Sequence, residues 1–154
     1  MLWQNLFSFT NLVALIAWAL LLFAPRRPLT YSAILYAGVG LLCLTYAVLL
    51  MLLVGKVVDP GVTAGAAAPF DYSDYSIGGI RKLFMTDAGI VVGWTHYLAF
   101  DLFVGLWINR DADNKGFSRL IQAPILLLTY LAGPVGLLLW LAIRERRARS
   151  AGRG

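Results

Sequence analysis

The sequence predicts an all-α fold, a four-helix transmembrane bundle with a long lid-like loop between its second and third helices. Two observations carry this. Hydrophobic residues make up 60% of the 154 positions and charged residues only 14%, whereas a soluble domain carries about a quarter charged residues. The charges also fall between long apolar stretches, so the spans can be read by length, each crossing of a hydrocarbon core of about 30 Å needing about 20 residues.

The first stretch, residues 3–24, is uncharged and stops at Pro25-Arg26-Arg27-Pro28. It lacks the basic start and small-residue cleavage site of a secretory signal and reads as a retained helix. Within it Gln4, Ser8 and Asn11 recur at i, i+4 and i+7, a polar stripe expected to look into the bundle. The second stretch, residues 31–54, stops at Gly55-Lys56 and contains the lone Cys43, which offers neither a disulfide framework nor a metal cluster. Residues 55–87 then form a connection long enough to have a purpose of its own. Its first half, GKVVDPGVTAGAAAP, is linker-like; its second mixes Phe70, Tyr72 and Tyr75 with Asp71 and Asp74. It closes on a short amphipathic run, Ile80, Leu83 and Phe84 opposing Arg81 and Lys82, suited to an interfacial lid. The third stretch, residues 88–108, contains His96 and Asp101. The fourth, residues 120–143, is expected to be one helix in which Pro134 leaves the Tyr130 carbonyl without its helical donor. Residues 1–154 thus form a single integral membrane domain.

An even number of spans places both termini on one side together with the 55–87 loop. That side carries Lys56, Arg81, Lys82 and five tail arginines, eight cations, against five opposite: Arg26, Arg27, Arg110, Lys115 and Arg119. The excess predicts cytoplasmic termini. Without an Arg- and Ser-rich start, a bacterial inner membrane is the expected location. The net charge of +5 suits membrane lipid headgroups and, with no soluble basic domain, no nucleic acid.

The stretch GWTHYLAFDLFVG, Gly93 to Gly105, holds the single histidine and, five residues on, an aspartate. An aspartate at the centre of a membrane helix costs about 2.5 to 3.5 kcal/mol on insertion scales, and such residues face a bundle interior or mark a functional site. At 100° per residue the two side chains diverge by about 140°. His96 shares its face with Gly89 and Gly93, a small-residue spacing suited to close helix contact within the chain or in a homo-oligomer. Asp101 shares its face with Trp94, Tyr97 and Gly105. Both motif residues are expected to face a polar interior, with Asn11, Tyr130 and Tyr46 as the expected partners of Asp101.

WTHYLAFDLFVG closely resembles the motif of the neoxanthin synthase family, the abscisic-acid-deficient type membrane proteins, which has many bacterial relatives. The resemblance extends to the Phe7-x-x-Thr10-Asn11 segment, Ala24-Pro25-Arg26, Thr45-Tyr46, IRKLFMTD before the third span, and Gly133-Pro134-Val135-Gly136, nearly the whole chain. It departs at Leu106, where an arginine is common. The resemblance implies isomerisation of an epoxy-carotenoid to an allenic one, chemistry that needs an acid and a base but no cofactor. In a low-dielectric site the neutral forms are favoured, which assigns Asp101 as acid and His96 as base, with Asn11, Trp94, Tyr97 and Tyr130 binding the carotenoid or other polyisoprenoid substrate. The sequence has no histidine cluster, GxGxxG or CxxC. An accessory membrane protein that binds such a pigment or lipid without transforming it is the alternative, and a transporter is weaker because the chain shows no inverted repeat.

Overall fold

A computed structural model describes residues 1–61 and 74–151, with side chains to Glu145. These residues form six helices: α1 Leu2–Phe23, α2 Pro28–Val54, α3 Ile77–Phe84, α4 Asp87–Asn114, α5 Arg119–Leu131 and α6 Gly133–Ala151. The fold is all-α, and α1, α2 and α4, of 22, 27 and 28 residues, are long and apolar enough to cross a membrane.

Local chemistry sets the helix starts. Pro28 opens α2, where its missing N–H would have had no helical partner. Thr86 caps α4, its hydroxyl accepting from the Gly89 amide at 3.0 Å, and Asp87 complements the dipole in the first turn. Helix α4 continues beyond Ile108 to Asn114 because its terminal acids are engaged: Asp113 pairs with Arg26, and Asp111 with Arg144 at 2.9 Å.

Helix α4 is the central element. On its inner faces Leu98, Leu102, Leu106 and Ile108 join Trp18 of α1, Ile34 and Leu42 of α2, Leu126 of α5 and Trp140 of α6 in the main core. A second cluster of Trp3, Leu49, Leu53 and Val91 closes the end near the N-terminus. Leu12, Leu15, Leu44 and Met51 point outward, as a surface in contact with lipid requires. Residues Ile34–Gly40 of α2 form π-helical turns. There Gly38 lets α2 close on the core, since a methyl group would come within 2.9 Å of Ala17 and 3.1 Å of Leu102.

The fourth span departs from expectation. Instead of one helix over 120–143, the chain breaks at Ala132 (φ −153°, ψ 71°) and reverses. Helix α5 climbs from the outer end of α4 to its middle, and α6 runs back, so Trp140 packs on Phe117 with ring centroids 5.0 Å apart and its indole donates to Asp111 at 3.0 Å. With 13 residues, α5 rises about 20 Å, too short to cross a core of about 30 Å. Proline disfavours the helical conformation just before it, whereas in a first turn its missing N–H costs nothing. Gly136 then allows the corner to close, because a side chain there would collide with the Thr129 backbone. The architecture is three apolar helices and a returning helical hairpin rather than a four-span bundle.

Arg144 accordingly lies at the Arg26 end, not with the N-terminus, which removes the basis for placing both termini on one side. The 55–87 connection is described at its two ends. Asp59 accepts from the Trp3 indole at 3.1 Å through its carbonyl, and Pro60 and Gly61 accept from Ala88 and Asp87 at 3.0 Å. The expected amphipathic run is helix α3, capped by Ser76. Its Leu83 and Phe84 lie on Gly89 and Gly93, so the small-residue face of α4 is used within the chain. The residues expected to make a lid, Phe70, Asp71 and Tyr72 among them, lie outside the described residues.

Candidate functional site

Asp101 lies near the midpoint of α4, 8% exposed, where the tip of the α5–α6 hairpin meets it. Its carboxylate lies against Gly133, the first residue of α6, and beside Tyr97 one turn earlier on α4. Gly133 has to be glycine for this approach, because a methyl group there would overlap the carboxylate. A helix start offers unpaired N–H groups and the positive end of the helix dipole, and α6 brings both to the midpoint of α4. The other oxygen, Oδ2, is buried with no hydrogen-bond partner among the described residues.

An aromatic wall adjoins the carboxylate. Trp94 stacks beside Tyr97 at 5.2 Å and near Phe7 at 6.0 Å between ring centroids. Its indole donates to Asn11 Oδ1 at 3.1 Å, while the Asn11 amide donates to the Phe7 carbonyl at 2.7 Å. The Tyr97 hydroxyl is 3.5 Å from the Tyr130 carbonyl and 3.4 Å from that of Leu131, acceptors freed by the chain reversal. The Tyr130 ring meets Trp18 edge-on at 5.5 Å, and Trp18 in turn fills the hollow left by Gly105. Five of the six residues singled out from sequence, Asn11, Trp94, Tyr97, Asp101 and Tyr130, therefore form one connected group across α1, α4 and the hairpin.

Residues 5–140 match the family model described as ABA DEFICIENT 4-like. The chain belongs to that family. No curated protein and no solved structure matches it. The ABA DEFICIENT 4-like family is linked to neoxanthin synthesis, and in this member the motif that carries the resemblance is divided between two faces of α4.

His96 is on the other face. It is exposed, its ring stacked on Phe100 at 4.5 Å and near Tyr46 at 5.5 Å. The expectation that both motif residues face a polar interior thus holds for Asp101 and fails for His96, as the divergence of about 140° along one regular helix dictates. The expected partners of Asp101 are also corrected. Asn11 is committed to Trp94 and Phe7, Tyr46 sits beside His96, and Tyr130 contributes its carbonyl to Tyr97; the neighbours of the carboxylate are Tyr97 and Gly133. Gln4 and Ser8 are exposed, so of the polar stripe of α1 only Asn11 turns toward α4. The inward face holds Trp3, Thr10, Ala14 and Trp18.

The ABA DEFICIENT 4-like chain has a second polar cluster, of which the sequence analysis counts only Arg26, as a topology charge. Asn109 and Gln122 are each 1% exposed. Gln122 donates to Asp113 at 3.1 Å and to the Phe117 carbonyl at 2.8 Å while accepting from Arg26 at 2.7 Å. The Tyr31 hydroxyl lies 2.8 Å from both Asn109 and Asp113. This network ties the α1–α2 turn to the α4–α5 turn. Its trace in the sequence is Asn109 and Asp113 at i, i+4, one face of a helix.

Proposed function

We propose that this protein is a carotenoid-modifying membrane protein, a cofactor-independent isomerase in which the Asp101 carboxyl performs acid–base chemistry on a carotenoid end ring. The observation that carries the reading is Oδ2 of Asp101, buried near the midpoint of α4 without a partner among the described residues in a member of a family linked to neoxanthin synthesis. Leaving a buried polar atom unpaired costs about 1 to 3 kcal/mol, a cost that a substrate oxygen in hydrogen-bond reach would remove. Trp94 and Tyr97 supply flat apolar surface for a ring and polyene.

On an epoxide end ring the chemistry balances with one carboxyl. The acid proton passes to the epoxide oxygen as the bond from that oxygen to the polyene-bearing ring carbon breaks. The adjacent polyene carbon loses a proton, and the electron pair of that C–H bond becomes the new double bond of the allene. One proton is given and one is taken. The carboxylate left on Asp101 is the nearest base, with Oδ1 steadied by Gly133. Proposed as base from the sequence, His96 stands on the opposite wall, where a ring held at Asp101 does not touch it.

The same separation favours a second reading, a non-catalytic carotenoid- or lipid-binding accessory protein, because among the described residues no titratable base faces Asp101 across the aromatic wall. The two readings are separated by expressing wild type, Asp101→Asn and His96→Gln in a host that makes cyclic carotenoids, including an epoxide, and comparing membrane levels, retained pigment and new chromatographic peaks. The isomerase reading expects a new peak from the wild type and a loss of about 100- to 10,000-fold in Asp101→Asn at equal membrane level, with His96→Gln still productive. An equal loss in His96→Gln restores the two-residue acid–base pair. Pigment retained unchanged by the wild type selects the accessory protein, and neither product nor retained pigment overturns both.

A further inference from the structure

On the side of α4 away from Asp101, a cleft runs between α2 and α4. Its outer part, about 440 Å³, is lined by Tyr31, Ser32, Arg110 and Asn114 and by the paired Arg26 and Asp113, at the α1–α2 turn end of the helices. Through Leu35 and Tyr36 it continues into an apolar groove of about 410 Å³ bordered by Val39, Gly40, Phe100 and Phe103. The groove follows the π-helical turns of α2, a local widening that recurs at functional sites. Its α2 wall spans Leu35 to Cys43, about 12 Å of helix, and His96 flanks its inner end through Phe100.

The charges at the outer end do not cancel. Asp113 is taken by Arg26, and Asp111 by Arg144 and Lys115. Arg110 has no ion pair or hydrogen bond among the described residues. Its guanidinium lies over the Tyr31 ring, 5.7 Å from the centroid. A free cation, a hydroxyl and an amide thus sit at headgroup depth, with an apolar channel leading from them toward the bilayer centre.

We propose that the α2–α4 cleft holds one anionic glycerophospholipid, its phosphate on Arg110 with Ser32 and Asn114, and one acyl chain along the groove from Leu35 to Phe100. Basic pockets between membrane helices take anionic headgroups for the same electrostatic reason, and a guanidinium matches phosphate geometry. No residue of the Asp101 site takes part, so the lipid site stands apart from the proposed isomerase chemistry.

The test is native mass spectrometry of the full chain in mild detergent with equal amounts of 1-palmitoyl-2-oleoyl phosphatidylglycerol and the matching phosphatidylcholine. The wild type is expected to carry one phosphatidylglycerol in preference to phosphatidylcholine. Arg110→Gln should lower that preference about fivefold, the effect of one cation near a membrane surface, while Arg110→Lys keeps most of it. At Gly40 an added Cβ would meet only the Leu35 carbonyl, at 3.4 Å, so Gly40→Phe fills the groove and should reduce retention of both lipids. Equal retention of the two lipids by the wild type, an unchanged preference in Arg110→Gln, or unchanged retention in a folded Gly40→Phe overturns the proposal. If Gly40→Phe does not fold, the two Arg110 variants decide it.

Discussion

The two oxygens of Asp101 have unequal surroundings. Its place at the centre of a membrane helix carries a cost of about 2.5 to 3.5 kcal/mol. A hydrogen bond to a neutral group is worth about 0.5 to 1.5 kcal/mol. Contacts with Gly133 and Tyr97 thus offset part of that cost for the protonated acid while Oδ2 remains free. Gly133→Ala tests this arrangement. The methyl group meets the carboxylate, and overpacking of this kind costs about 1 to 3 kcal/mol. The variant is expected to melt at a lower temperature in detergent and to lose product as Asp101→Asn does; a product yield equal to wild type would show that the carboxylate works without this contact. The stripe Trp94, Tyr97 and Asp101 was legible in the sequence, because positions three and four apart on a helix share a face. Gly133 was not, because a contact between residues 32 apart in sequence has no local signature.

Glycines decide how the elements dock. On α4, Gly89 lies against the Leu83 carbonyl and Gly93 under the Phe84 ring, so α3 is held by shape rather than by charge. Arg81 and Lys82 remain exposed on its outer face. Gly89→Ala is expected to lift α3 from α4, lowering thermal stability and speeding tryptic cleavage after Arg81 and Lys82. Cleavage at the wild-type rate would mean that α3 is held elsewhere. The α5–α6 corner follows similar logic, with Pro134 opening α6 and Gly136 against Thr129. Reading Pro134 as a kink in one helix recovered the free Tyr130 carbonyl but not the reversal, since a proline is compatible with either a bent helix or a new one. Only the packing of Trp140 and Arg144 back onto Asp111 distinguishes them.

For the whole molecule, three helices long enough to cross a membrane and a returning hairpin put the N-terminus and the end of α6 at opposite ends of the helices. Counted among the residues whose side chains are described, the α1–α2 and α4–α5 end holds Arg26, Arg27, Arg110, Lys115, Arg119 and Arg144, six cations, against Lys56, Arg81 and Lys82, three, at the other. The excess of cations predicts that the Arg26 end is cytoplasmic. Single cysteines at Gln4, Lys115 and Glu145 in a Cys43→Ser background, probed with a membrane-impermeant maleimide in intact cells, should label at Gln4 and stay protected at Lys115 and Glu145. Labelling of Gln4 and Glu145 from the same side would restore the four-span arrangement.

The sequence by itself determined the membrane setting, the three long helices, the short amphipathic α3 and the identity of the buried acid, because these depend on composition and on the 3.6-residue period, both local properties. It also determined that His96 and Asp101 point apart, as the angle between them is fixed by helix geometry. Tertiary structure decided which of the two faces inward, what the acid touches, and that the last apolar stretch turns back instead of crossing. These depend on how α1, α2 and the hairpin pack around α4. An apolar run of 24 residues is long enough for one span or for two half-length helices, and the choice rests on contacts between residues far apart in the chain.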